Sequence, residues 1–174
     1  MTKVLIIGGG HAGANTAFAL RKDGFDGEIT IISDEKYLPY HRPPLSKDFL
    51  KQNIAIEKLG FKSADFYEEQ KISINLNTKI DSIDLESKLA IAKDVSFDFD
   101  YLVFATGATP RLLPMENADS KNLFYLRQIT DVISMHQQIT PEKEIVLIGG
   151  GYIGLEVASA MIELGLKVTI PEAE

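Results

Sequence analysis

One short pattern occurs twice in this chain and fixes what it can fold into. The first copy is Val4-Leu5-Ile6-Ile7-Gly8-Gly9-Gly10-His11-Ala12-Gly13, and the second is Ile145-Val146-Leu147-Ile148-Gly149-Gly150-Gly151-Tyr152-Ile153-Gly154. Each opens with a run of aliphatic residues suited to a parallel strand buried on both faces. Each continues with apolar residues at helical spacing: Ala14, Ala17, Phe18 and Leu20 after the first, and Leu155, Val157, Ala158, Met161, Ile162 and Leu164 after the second. A glycine near the end of each stretch, Gly24 or Gly165, gives a helix stop. Second strands are expected over 28–33 and 166–170. Strand, helix and strand in that order require a parallel sheet, which places the chain in the α/β class.

The glycines have a physical reason. A pyrophosphate must come close to backbone that a Cβ would obstruct, where helix N–H groups supply partial positive charge. Gly8 and Gly149 then make the tight turn, Gly10 and Gly151 admit the phosphates, and Gly13 and Gly154 let helix pack on strand. An acid at the end of the second strand accepts hydrogen bonds from ribose hydroxyls. Asp34 or Glu35 fills that place in the first copy and Glu172 in the second. A carboxylate at Glu172 accepts the 2′-hydroxyl of NADH and repels the 2′-phosphate of NADPH, so NADH is favoured. Pro171, directly before it, cannot donate a ladder hydrogen bond and departs from the expected strand pattern. Two such sites imply two dinucleotides.

Charge and composition exclude other classes. With 25 acidic against 18 basic residues and a net charge of −7, nucleic acid is not expected as a main partner. No run of apolar residues is long enough to span a bilayer, and Val4 to Ile7 runs into glycines rather than a leader, so a cytoplasmic protein is expected. The count of 0 cysteines removes disulfides, thiolate ligands and any dithiol relay. His11, His41 and His136 have no metal-like spacing, and no metal site is expected.

Between the repeats the pattern changes. The stretch from Asp34 to Lys47 is dense in turn and charged residues, and Pro43 and Pro44 are expected to forbid helix there. A short helix is expected over 48–52. From Ile72 the apolar residues alternate: Ile72, Ile74 and Leu76, then Ile80, Ile83 and Leu85, then Leu89 and Ile91, then Phe97, Phe99 and Tyr101. That alternation predicts a series of short strands. An apolar strand over 101–105 enters the turn Thr106-Gly107-Ala108-Thr109-Pro110. The polar connector over 111–121 sets the domain boundary, giving domains over 1–112 and 113–174. Helix is expected again over 131–138.

Three features together resemble the pyridine nucleotide-disulfide oxidoreductase superfamily: the first fingerprint, the Ala105-Thr106-Gly107 turn, and the second fingerprint. The loop Leu38-Pro39-Tyr40-His41-Arg42-Pro43-Pro44-Leu45-Ser46-Lys47 is similar to the signature of its ferredoxin reductase branch, and the missing cysteines agree with that branch. The resemblance implies a Rossmann-like FAD-binding domain with a β-meander, followed by the start of a second Rossmann-like NAD-binding domain. It implies that Gly8, Gly10, Gly13, Asp34, Glu35, Thr106 and Gly107 serve FAD, with the backbone of Ile80 near the adenine and Arg127 reaching FAD. Arg42 is assigned to phosphate, for which a guanidinium offers bidentate donors. Lys47 would lie beside the reactive edge of the flavin and pair with Glu156, a cation there stabilising the reduced anionic ring.

The function so implied is electron transfer from NADH through FAD to a ferredoxin-type iron–sulfur protein. The carrier would be a separate chain, since this one has no cysteines for a cluster. Members of that family are longer, and the chain reads as a truncated, N-terminal portion that is inactive alone, its unfinished nicotinamide unit leaving an apolar strand edge exposed. Two other readings stay open: a non-enzymatic flavoprotein of the apoptosis-inducing-factor kind, which shares the Arg-Pro-Pro-Leu-Ser-Lys loop, and a plain NAD-dependent dehydrogenase with tandem Rossmann units.

Overall fold

The computed structural model describes residues 1–114 and 122–171. Two units emerge, one of residues 1–40 and 60–108, the other of residues 41–59 and 109–174.

In the first unit, β1 (Lys3–Ile7), α1 (His11–Lys22) and β2 (Glu28–Ile32) form the expected strand-helix-strand repeat, followed by α2 (Ala64–Glu69) and β3 (Ile72–Asn75). A meander of β4 (Ser82–Asp84), β5 (Leu89–Ala92) and β6 (Val95–Asp98) precedes β7 (Tyr101–Phe104). The four parallel strands lie in the order β3-β2-β1-β7, and the meander is antiparallel, β4-β5-β6. Direction of travel across the sheet therefore reverses beside β1, and ligands of open α/β sheets bind at the carboxyl ends of strands at such a point.

The unbroken apolar run of β1 has its cause in two buried faces. Val4 and Ile6 join Ala17 of α1, Tyr67 of α2, and Ile29, Ile31 and Ile72 of the neighbouring strands in one core. Leu5 and Ile32 point the other way, onto Ala90 and Phe99, with Ile80, Ile83 and Leu102 around them.

Arg21 anchors the rear of this unit. Its guanidinium donates to the carbonyls of Gln70 (2.7 Å), Phe25 (2.7 Å), Gly27 (2.9 Å) and Lys71 (2.7 Å), joining the turn after α1 to the turn after α2. Loop carbonyls that would otherwise be orphaned are thus satisfied by a cation. Tyr67 is buried, and its hydroxyl has no hydrogen-bond partner among the described residues. Burial pushes this phenol up to about 12.

The second unit contains α3 (Ile129–His136), β8 (Glu144–Val146), α4 (Tyr152–Glu163) and β9 (Lys167–Thr169), with β8 and β9 parallel. This is the second strand-helix-strand repeat. Val146 of β8 and Ile148 after it are exposed. His136 is structural: its Nε2 lies 3.1 Å from the Leu50 carbonyl oxygen and its ring packs on Phe49.

Two local expectations are corrected. Pro43 to Ser46 forms a single 3-10 turn with Pro at its first positions, where the missing N–H had no intrahelical partner to lose and the fixed φ suits the turn. Residues 48–52 form turns rather than the expected helix. Gln52 adopts φ 60°, which ends any helical path there. The strands expected from the alternation after Ile72 are all present, and the helix expected over 131–138 begins two residues earlier, at Ile129. There the Gln128 and Asp131 side chains and backbones cap one another reciprocally.

Candidate functional site

The two glycine turns are built alike. Gly8 has φ +120° and Gly149 φ +110°, backbone that a side chain would strain. A Cβ on Gly13 would strike the carbonyl of Gly8, and a Cβ on Gly154 would strike the carbonyl of Gly149. The third glycine of each motif is therefore required by the first. In the first copy the turn is also closed from the side. A Cβ on Gly8 would meet the carbonyl of Ala105, and one on Gly9 would press on Ser33 Oγ at 2.8 Å. Gly8 donates to the Ile32 carbonyl (2.8 Å) and Ala105 to the Ile7 carbonyl (2.8 Å), so the carboxyl ends of β1, β2 and β7 converge on this turn. Thr106 and Gly107, the latter with φ 68°, follow directly.

Each helix after its turn starts on a glycine with no side-chain cap and no acid in its first turn, Gly10 for α1 and Gly151 for α4. The first intrahelical bonds run from Ala14 to Gly10 and from Leu155 to Gly151, both 3.0 Å, leaving the earlier amides outside the helical ladder. Such ends suit a diphosphate. Helix ends with amides outside the ladder and no acid in the first turn fit the dinucleotides the sequence implies, and in the second copy a Cβ on Gly149, Gly150 or Gly151 would meet nothing within 4 Å, leaving that turn open.

Of the two acids after β2, Asp34 is exposed, whereas Glu35 accepts a hydrogen bond from the Tyr40 hydroxyl. Ile80 turns its side chain into the core with Leu5 and Ile32, so any role toward adenine falls to its backbone. Glu172 lies outside the described residues.

In the second unit the structure pairs the remaining expected residues. Arg42 donates to the carbonyl of Arg127 (2.8 Å), and the N–H of Arg127 is in turn held by the Asp131 carboxylate (2.8 Å). The Lys47 ammonium lies 2.9 Å from Glu156 Oε1. Ser46 Oγ donates to Glu156 Oε2 at 2.6 Å. Together these two donors, Ser46 first and Lys47 second, hold the Glu156 carboxyl below its ordinary range. A second ion pair lies along the same helix, Lys51 to Glu163 at 3.1 Å, and Lys51 is held above the ordinary ammonium range chiefly by that bond. A cleft of about 400 Å³ runs beside these pairs, bordered also by Tyr152, Leu155 and Ser159.

Sequence reasoning missed Ser46, Lys51, Glu163 and Ser33. The seven-residue step from Glu156 to Glu163 puts both acids on one face of a helix but names no partner for either, and Lys47 and Lys51 lie in turns with no helical periodicity to read. Nothing local marked Ser33 or Ser46, whose partners are set by tertiary contact.

A family model described as pyridine nucleotide-disulphide oxidoreductase matches residues 2–174. Among curated proteins, a rubredoxin-NAD(+) reductase of Pseudomonas putida is 42% identical over 98% of this chain and 44% of its own length. The ferredoxin–NAD(+) reductase component of a p-cumate 2,3-dioxygenase system, also from Pseudomonas putida, is 40% identical over 99% of this chain and 43% of its own length. Among solved structures, the reductase in the covalent putidaredoxin reductase–putidaredoxin complex superposes with a TM-score of 0.93 at 37% identity, covering 97% of this chain and 42% of that one. The chain spans less than half the length of these relatives.

Proposed function

We infer, since the chain belongs to the pyridine nucleotide-disulphide oxidoreductase family, that it forms the FAD-binding and nicotinamide-binding portion of a reductase delivering electrons from NADH to a separate ferredoxin-type iron–sulfur protein. Bound FAD would supply the conversion between two-electron and one-electron chemistry. Gly8, Gly10 and Gly13 hold its diphosphate, Asp34 and Glu35 serve the adenosine ribose, and Ile80, Thr106, Gly107, Arg42 and Arg127 complete its contacts. Gly149, Gly151, Gly154 and Glu172 serve NADH, with NADPH disfavoured by the carboxylate.

The observation that carries the reading is the bond of 2.9 Å between Lys47 and Glu156. The resemblance assigns these two residues to the flavin edge and the nicotinamide, and the fold joins them across 109 positions of sequence. Lys47 presents a positive charge where negative charge develops. Glu156 orients that ammonium and the incoming nicotinamide. That the similar proteins are a rubredoxin reductase, a ferredoxin reductase component and a putidaredoxin reductase supports the class of acceptor.

The division proposed is residues 1–112 for the FAD-binding part and 113–174 for the opening of the nicotinamide-binding part. A cytoplasmic location accompanies this reading, and among the described residues no helix is long and apolar enough to cross a membrane. The chain by itself is expected to turn over little. The test is NADH-driven reduction of a ferredoxin by the whole protein, followed by cytochrome c. Transfer that drops when Lys47 is made Met supports the proposal, and transfer from NADH to no iron–sulfur acceptor overturns it.

A further inference from the structure

Ser46 belongs to the loop motif but has no part in the function so far described. It and Ser33 are the buried polar residues of the described chain. Its hydroxyl has a single proton to donate. One acceptor, the Pro43 carbonyl, lies at 3.4 Å, and the other, Glu156 Oε2, at 2.6 Å. The shorter distance is that of a charge-assisted hydroxyl–carboxylate bond, and the longer is at the margin of hydrogen bonding. The proton therefore goes to Glu156.

The hydroxyl is also rigidly placed. Pro43 and Pro44 fix the backbone of the 3-10 turn, and the Leu45 side chain is buried within it. Lys47, the next residue, reaches the other carboxylate oxygen on a long and half-exposed side chain. An exposed ammonium alone defines a carboxylate orientation weakly, because its geometry is loose and solvent competes. A buried hydroxyl on the second oxygen removes that freedom.

We propose that Ser46 is a positioning residue: its hydroxyl pins Oε2 of Glu156, so that Oε1 stays on the Lys47 ammonium and both charged groups keep one fixed orientation. The role rests on the proposed function of the Lys47–Glu156 pair, and acts through Glu156 rather than on any reacting atom. Loss of the hydroxyl frees the carboxylate to rotate and weakens its hold on the ammonium.

The experiment uses the whole protein with Ser46→Ala, Glu156→Gln and the double variant. Side-chain 13C NMR of Glu156, which needs no turnover, is expected to show its titration moving up toward the ordinary range in Ser46→Ala. Rapid-mixing reduction by NADH is expected to slow about tenfold in Ser46→Ala, the scale of one lost hydrogen bond to a charged group. The loss is expected in the maximal rate rather than in the NADH concentration giving half of it. In the Glu156→Gln background, Ser46→Ala should add nothing, and Ser46→Thr in the wild-type background should restore most of the rate. An unmoved Glu156 titration, or additive effects in the double variant, overturns the role of Ser46 and leaves the pair's function standing. A Glu156→Gln variant reduced as fast as wild type overturns both.

Discussion

Tyr67 offers a prediction whose size follows from one side chain. Its ring lies 2% exposed in the core of the first unit. Its phenol is pushed by burial from 10.0 to about 12. A group whose folded value is raised holds its proton more tightly when folded. Its contribution is complete below the unfolded value and is lost as pH rises through the folded one. At about 1.4 kcal/mol per unit, the wild-type protein should lose about 2–3 kcal/mol from this residue between pH 10 and pH 12. Tyr67→Phe removes the titrating group and also a buried hydroxyl with no partner among the described residues. At neutral pH the variant should be as stable as wild type or up to about 1 kcal/mol more stable. Urea unfolding of both proteins from pH 8 to the alkaline limit provides the assay, read as the difference between them so that other alkaline titrations cancel. Curves that fall in parallel, or a variant clearly less stable at neutral pH, refute the reasoning.

The other predictions use the same kinds of measurement. Gly13→Ala should abolish FAD retention, while Gly154→Ala should leave the flavin bound and abolish reduction by NADH; flavin absorbance and NADH titration separate the two. Arg21→Met should destabilise the protein by about 2–4 kcal/mol, because it strips a cation from four carbonyls, with little change in NADH affinity in samples that stay folded. The Glu156 carboxyl is held below its ordinary range, so its bonds to Ser46 and Lys47 contribute above that range and are lost as pH falls through the lowered value. NADH-driven reduction should fail over that acid limb, and Glu156→Gln should flatten it.

The sequence was informative where a local rule had a local cause. The apolar run before Gly8 meant a strand covered on both faces, and Val4, Leu5 and Ile6 are indeed shared between two cores. The alternation after Ile72 meant a series of short strands, and β3, β4, β5 and β6 are present. Prolines misled, because their effect depends on position: Pro43 and Pro44 start a 3-10 turn where mid-helix they would have broken one. Arg21 was silent because two of its four acceptors lie 49 and 50 residues away. Ser46 was silent for the same reason, its acceptor being 110 residues distant. For Lys47 and Glu156 the family resemblance supplied the pairing that periodicity could not, and the fold then placed them at bonding distance.

The most direct test of the whole account is the visible absorbance of the gently purified whole protein, before and after addition of FAD. Flavin bands that are present in the wild type, or restored on reconstitution, and absent from Gly13→Ala are the result predicted. A colourless wild-type protein that takes up no FAD would contradict it.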